Sequence, residues 1–181
     1  MIPIGYMAKR VSLRPDWLHA PGVEDIYSVS HCVSDDFTEV CIHEDLNSYW
    51  FFDSPSIIWK IAKAYSIDMK GTKLFYYEMY ELEFDHDEND QEWLAISVTT
   101  ERSSCVVEPD EKHLEGYDLA TYYAGEYPEC SPLSCNHMAQ EIPTNRHCLL
   151  ATFAEAKQYL EKGFFVDCEP GIYRIIAVYS V

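Results

Sequence analysis

Cys130, Cys135, His137, His147 and Cys148 fall within nineteen residues, and thiolate and imidazole are the side chains that hold zinc or drive nucleophilic catalysis. Zinc needs such donors to converge tetrahedrally. The spacing here, C-x4-C-x-H followed by H-C, fits no common finger or knuckle, and adjacent ligands such as His147 and Cys148 rarely reach one ion from regular structure. The chain is therefore expected to carry no metal and no cofactor. Thiol chemistry is the other activity this set supports, with Cys135 or Cys148 as nucleophile, His137 or His147 as base, and a third group orienting that base. Ser134 is placed to cap a short helix opening near Cys135, where a helix N-terminus would lower the thiol pKa. A capped turn around a buried thiol accounts for the same residues without catalysis. There is no G-x-S-x-G elbow, and seven glycines in all leave little material for a phosphate-cradling loop.

The second constellation is acidic. Seven of the twelve residues from 81 to 92 are carboxylates: Glu81, Glu83, Asp85, Asp87, Glu88, Asp90 and Glu92. The run Asp85, Asp87, Asn89 opens like a calcium loop, but that loop needs glycine at its sixth position and glutamate at its twelfth, and this chain has Asp90 and Ile96 there. If residues 73–85 form a strand, Tyr80, Leu82 and Phe84 face inward. Glu81, Glu83 and Asp85 then project together as an outward stripe spaced by ~7 Å. These seven residues are the candidate partner-binding set.

The elements that must position them follow from local patterns. Residues 55–65 read as a helix, with Ser54 as N-cap, Pro55 at the first position and Ile57, Ile58, Ile61, Ala62 and Tyr65 on one face. Residues 153–162 read as a second helix, opened by the capping box Thr152-x-x-Glu155 and closed by Gly163. Strands are expected at 26–33, 73–85, 93–100 and 172–181, with 73–85 and 93–100 an antiparallel hairpin and the last strand central or tied down. Residues 1–24, with three prolines and two glycines, read as an irregular lead-in, and 101–151 as short elements only. No internal repeat is apparent. The expectation is a single α+β domain over 1–181, with a mostly antiparallel sheet and two main helices.

Charge bounds the partners. Residues 1–73 carry 7 Lys/Arg against 10 Asp/Glu, and residues 74–181 carry 6 against 21, within a net charge of −18. Such a surface repels phosphate backbones and anionic lipid and draws basic proteins, so neither nucleic acid nor membrane is an expected partner. No run approaches the ~20 apolar residues of a membrane span. Seven cysteines, an odd number with no secretory leader before them, read as reduced thiols in a cytoplasm. With 14 Tyr, 8 Phe and 4 Trp the acid sits on a folded body. By charge and size the chain resembles small acidic bacterial immunity and inhibitor proteins, which neutralise basic nuclease toxins. That likeness implies a non-enzymatic binding protein with a basic protein partner, helped by Glu108, Asp110 and Glu111. The alternative is a small enzyme using the Cys/His site around residues 130–148.

Overall fold

A computed structural model describes residues 1–30, 35–37, 46–86, 91–96, 105–122 and 127–181. In chain order the elements are β1 (Ile2–Arg10), β2 (Ser12–Leu13), β3 (Asp25–Ile26), β4 (Asp35–Asp36), α1 (Pro55–Tyr65), β5 (Thr72–Asp85), β6 (Glu92–Ala95), β7 (His113–Tyr122), α2 (Phe153–Glu161) and β8 (Ile172–Ser180). The main sheet runs β4-β1-β5-β8-β7, every pair antiparallel, and β2 and β3 form a separate two-stranded ribbon. β5 is the longest strand. Its first half pairs with β1, and Leu82–Asp85 pair with β6. The class is the expected one: a single α+β domain with an antiparallel sheet and two helices.

Both helices form where their caps and apolar spacing put them. α1 buries Ile58, Ile61 and Ala62 against a core that includes Phe51, Phe52, Phe75, Tyr77, Ile176 and Val178. Ser54 sits at its N-cap, but its hydroxyl pairs with Ser56 Oγ at 2.8 Å and makes no cap bond to the helix. α2 has the full capping box, with Thr152 and Glu155 each bonding the other's backbone N–H, and Gly163 follows at φ 71°. It buries Ala156 and Leu160 against Phe84, Leu119, Tyr173 and Ile175. The 73–85 and 92–95 strands form the expected hairpin, of which residues 97–100 lie outside the described residues. The last strand is central, between β5 and β7.

Three expectations about the course of the chain fail. Residues 1–24 are not an irregular lead-in: Ile2–Arg10 is a nine-residue strand beside β5. Pro3 and Gly5 sit at a register shift, where a bulge absorbs both. Residues 101–151 contain more than short elements, because His113–Tyr122 is a ten-residue strand with a comparable shift at Gly116. Residues 26–33 do not form one strand. Only Asp25–Ile26 pair, with β2, and residues 28–30 are instead held by side chains, while 31–33 lie outside the described residues. Lys9 Nζ, on a residue 1% exposed, donates to the carbonyls of Ser28, Val29 and Ser30 at 2.7, 3.0 and 2.9 Å. From the other side Asp118 accepts from Ser28 Oγ and the Val29 N–H at 2.9 and 2.8 Å.

The sheet also contains an internal repeat that the sequence did not announce. In the first unit, Asn47 Nδ2 donates to the Ile4 carbonyl while its Oδ1 accepts from the N–H groups of Tyr49 and Phe51. Trp50 is left-handed at φ 67°, and Phe52 exchanges two backbone bonds with Tyr6. In the second unit, Asn145 Nδ2 donates to the Glu115 carbonyl and its Oδ1 accepts from His147 and Leu149. Cys148 is left-handed at φ 61°, and Leu150 exchanges two bonds with Tyr117. Each turn crosses a bulge glycine so closely that a Cβ would lie 2.6 Å from Phe52 O at Gly5, or 2.8 Å from Leu150 O at Gly116. Each asparagine is followed seven residues later by the N-cap of its helix, Ser54 or Thr152. The two units, β1-turn-α1-β5 and β7-turn-α2-β8, meet antiparallel at the Tyr77–Val178 pair, which gives the sheet an approximate twofold.

One buried ion pair breaks the expected alternation of β5. Glu83 is 5% exposed, not outward-facing, because the sheet is covered on both faces where β5 passes and the strand shifts register between Met79 and Glu83. Arg174, 4% exposed on β8, meets Glu83 Oε2 through Nε at 2.8 Å and Nη2 at 2.7 Å, with its guanidinium 4.0 Å above the Tyr122 ring. Glu83→Gln or Arg174→Met alone leaves an unpaired buried charge and should cost about 3–5 kcal/mol in urea unfolding, while the double variant should recover much of that loss. Additive losses in the double variant would show that the pair does not act as one unit.

Candidate functional site

The Cys/His residues divide between different surroundings in the fold, with Cys135 and Cys148 near enough to influence each other and His137 apart beside Trp17. His147 and Cys148 belong to the second asparagine turn, in the slots that Tyr49 and Trp50 fill in the first. His147 is buried, with Nδ1 2.5 Å from Asp25 Oδ1 and Nε2 accepting from Arg146 Nε at 3.0 Å, an arrangement that puts the ring proton on Nδ1. Its ring stacks on Tyr27 at 3.9 Å, and Tyr27 N donates to the His147 carbonyl. His147 therefore fastens the β2–β3 ribbon to the turn. Burial pushes the Cys148 thiol far above the ordinary range, and Asp118 and Cys135 add to the shift, which disfavours the thiolate.

His137 is elsewhere, edge-on to Trp17 at 4.7 Å and beside Gln140 Nε2 at 3.3 Å. Cys130 bonds the Thr121 hydroxyl through its N–H, and Cys135 Sγ lies 3.5 Å from Ser30 Oγ. The helix expected at Ser134 does not form. Residues 132–136 make turns, and the three-residue 3-10 turn Met138–Gln140 follows. Among the described residues no three His, Cys, Asp or Glu side chains come together in an arrangement that could hold a metal ion. Among the described cysteines, Cys105, Cys148 and Cys168 are free thiols.

The acidic set divides. Glu81 and Glu92 are exposed, Asp85 is half-buried, and Glu83 is withdrawn into its pair with Arg174. Asp87, Glu88 and Asp90 lie outside the described residues. Deeper, Asp118 is fully buried and also accepts from the Leu119 N–H at 2.8 Å and Ser131 Oγ at 2.6 Å. Burial pushes its pKa up, against the pull of those donated bonds.

A feature that local sequence patterns did not reveal joins these parts. A cleft of about 480 Å³ lies between the end of β5 and the loop from α2 to β8, lined by Asp85, His86, Phe165, Val166, Cys168, Glu169, Pro170 and Gly171. Phe164 and Val166 are exposed beside it, and Glu169 and Asp167 add exposed carboxylates. The Tyr173 hydroxyl donates to the Glu169 carbonyl at 2.6 Å and fixes the loop. His86 Nε2 is buried and meets no hydrogen-bond partner. The twofold explains why one loop has this wall: β5 continues past Met79, the counterpart of Ser180, as far as Asp85.

Burial pushes the Cys168 thiol to about 11, with Asp167, Glu141 and Glu169 adding to the effect. Its alkylation rate should therefore climb about tenfold per pH unit from pH 8 through pH 10, whereas an unperturbed thiol levels off above about 8.5. Peptide mass spectrometry after timed alkylation reads that rate; a plateau below pH 9.5 would show that burial and the neighbouring carboxylates do not raise this thiol.

Compared with protein-family models, with curated proteins and with solved structures, the chain matches none.

Proposed function

We propose that this chain is a non-enzymatic binding protein whose acidic face engages a basic protein partner, in the manner of an immunity protein that covers a nuclease toxin. The observation that carries this reading is where the carboxylates go. Glu83 and Asp118 are consumed inside the fold, while Glu81, Glu92, Glu161, Asp167 and Glu169 stay exposed around the β5–β6 hairpin and the 163–171 loop. Exposed Phe164 and Val166 lie among them, giving the combination of charge and apolar anchor that grips a partner. Such a face speeds encounter with a cation-rich surface and repels nucleic acid and anionic lipid. Among the described residues no helix is long and apolar enough to cross a membrane.

Capture from the source cell's lysate, followed by reconstitution with the purified captured protein, tests the reading. The partner should be basic and bind one-to-one. The double variant Glu81→Lys/Glu92→Lys reverses two exposed charges, should move the melting temperature little, and should slow association by about tenfold or more at low salt. A neutral or acidic partner, or an association rate indifferent to both salt and charge reversal, would contradict it.

A further inference from the structure

We infer that the outward face of α1 is the docking surface for the acidic β5–β6 hairpin of a second copy of this chain, so that copies associate head to tail. The chain is poor in cations, with 13 Lys/Arg against 31 Asp/Glu, yet residues 54–77 hold four lysines and a single carboxylate, Asp68. Asp68 is engaged within its own turn, where Oδ1 accepts from the Lys70 N–H at 2.9 Å. Lys60, Lys63 and Lys70 are exposed, and among the described residues none of them meets a carboxylate. The cations of the second half behave differently: Lys112, Arg146, Lys157 and Arg174 each pair with one. On α1 the lysines flank a tryptophan. Trp59, Lys60 and Lys63 lie away from the buried Ile58, Ile61 and Ala62, and Trp59 is 54% exposed. An exposed tryptophan among unpaired charges is the composition of an interface centre.

The internal repeat supplies the comparison. With the N-caps Ser54 and Thr152 aligned, Trp59 and Lys63 of α1 correspond to Lys157 and Glu161 of α2. There the face is satisfied from within. Lys157 pairs with Glu161 at 3.7 Å, and Trp93 of β6 donates to Glu161 at 2.9 Å with its ring 5.4 Å from Lys157 Nζ. On α1 the charge has one sign, and among the described residues nothing answers it. The complement lies at the other end of the molecule, in the hairpin of which seven of residues 81–92 are acidic and Glu81 and Glu92 are exposed. β5 runs from Thr72 to Asp85 and spans ~43 Å at 3.3 Å per residue, so the lysine turn before it and the hairpin after it do not meet within one chain. Two unlike patches meeting between copies make a heterologous contact, which extends into a ring or a row. The net charge of −18 opposes association, but at physiological salt charges more than ~8 Å apart are screened, and the patches in contact decide.

Analytical ultracentrifugation of the whole chain, from micromolar to millimolar concentration, tests this. The mass should rise with concentration at physiological salt and return to the 21.0 kDa monomer in about 1 M salt, where screening acts within ~3 Å. Lys60→Glu/Lys63→Glu and Glu81→Lys/Glu92→Lys should each weaken association by about tenfold or more, because each gives its chain two ends of like charge. Mixed in equal amounts, the two variants should associate again, since every contact then joins opposite charges. Trp59→Ala should weaken association by about fivefold or more. The inference stands apart from the basic-partner reading: the lysine variant should keep a basic partner and lose only its own copies, whereas the glutamate variant should lose both. A natural chain that stays monomeric throughout, or a mixture of variants that fails to associate, would overturn the inference. Association untouched by Lys60→Glu/Lys63→Glu would overturn α1 as the surface. A monomeric chain that binds polyglutamate through those two lysines would overturn the second copy in favour of a different acidic protein.

Discussion

The architecture rests on one device used twice, an asparagine side chain that ties a turn onto a glycine bulge. A loop crossing the outer strand of a sheet brings backbone N–H and C=O groups into a crowded, partly buried place, where each must find a partner. Asn47 and Asn145 satisfy three such groups apiece, donating to the strand carbonyl and accepting from two N–H groups of the turn. The close approach is possible only because Gly5 and Gly116 have no side chain and sit at φ 125° and 152°. From each latch the chain is delivered, seven residues on, to a helix N-cap, and from each helix to one of the two central strands. The sheet order and the placement of both helices follow from it.

Buried charge does the rest of the fastening. Lys9 and Asp118 hold residues 28–30 from opposite sides, and Glu83 with Arg174 joins β5 to β8 where their register slips. Charges taken out of water are costly unless paired and hydrogen-bonded, and each of these has its polar partners in place. The remaining acid is left to the surface. Where β5 overruns the twofold, that acid lines the cleft beside Cys168 and Glu169. Structural charge and surface charge are thus separated by burial.

Much of this was legible in the sequence wherever the signal was local. Ser54-Pro55 and Thr152-x-x-Glu155 marked both helices, and the β-branched run ending the chain marked a central strand. β1 and β7 were hidden by what makes them work: Pro3, Gly5, Gly116 and a buried Asp118 interrupt the pattern that identifies a strand. Glu83 was misplaced because alternation was read as one wet face and one dry, while Arg174, the lone cation of the last strand, was its available signal. The repeat escaped because its shared features, Gly-Tyr and an asparagine seven residues before a cap, are few and separated by segments of different length. Cys148 and His147 looked chemical by type, yet they occupy turn slots that Trp50 and Tyr49 fill equally well. A cleft formed by residues 80 positions apart has no local signature at all.

If the two latches carry the fold, they should matter alike. The decisive measurement is the urea unfolding free energy of Asn47→Ala and Asn145→Ala, each of which removes a donor and an acceptor and strands three backbone groups. Both should lose about 2–4 kcal/mol, by similar amounts and with unchanged cooperativity. Losses under about 0.5 kcal/mol at both positions, or a large loss at only one, would contradict the account of a fold hung from a repeated asparagine turn.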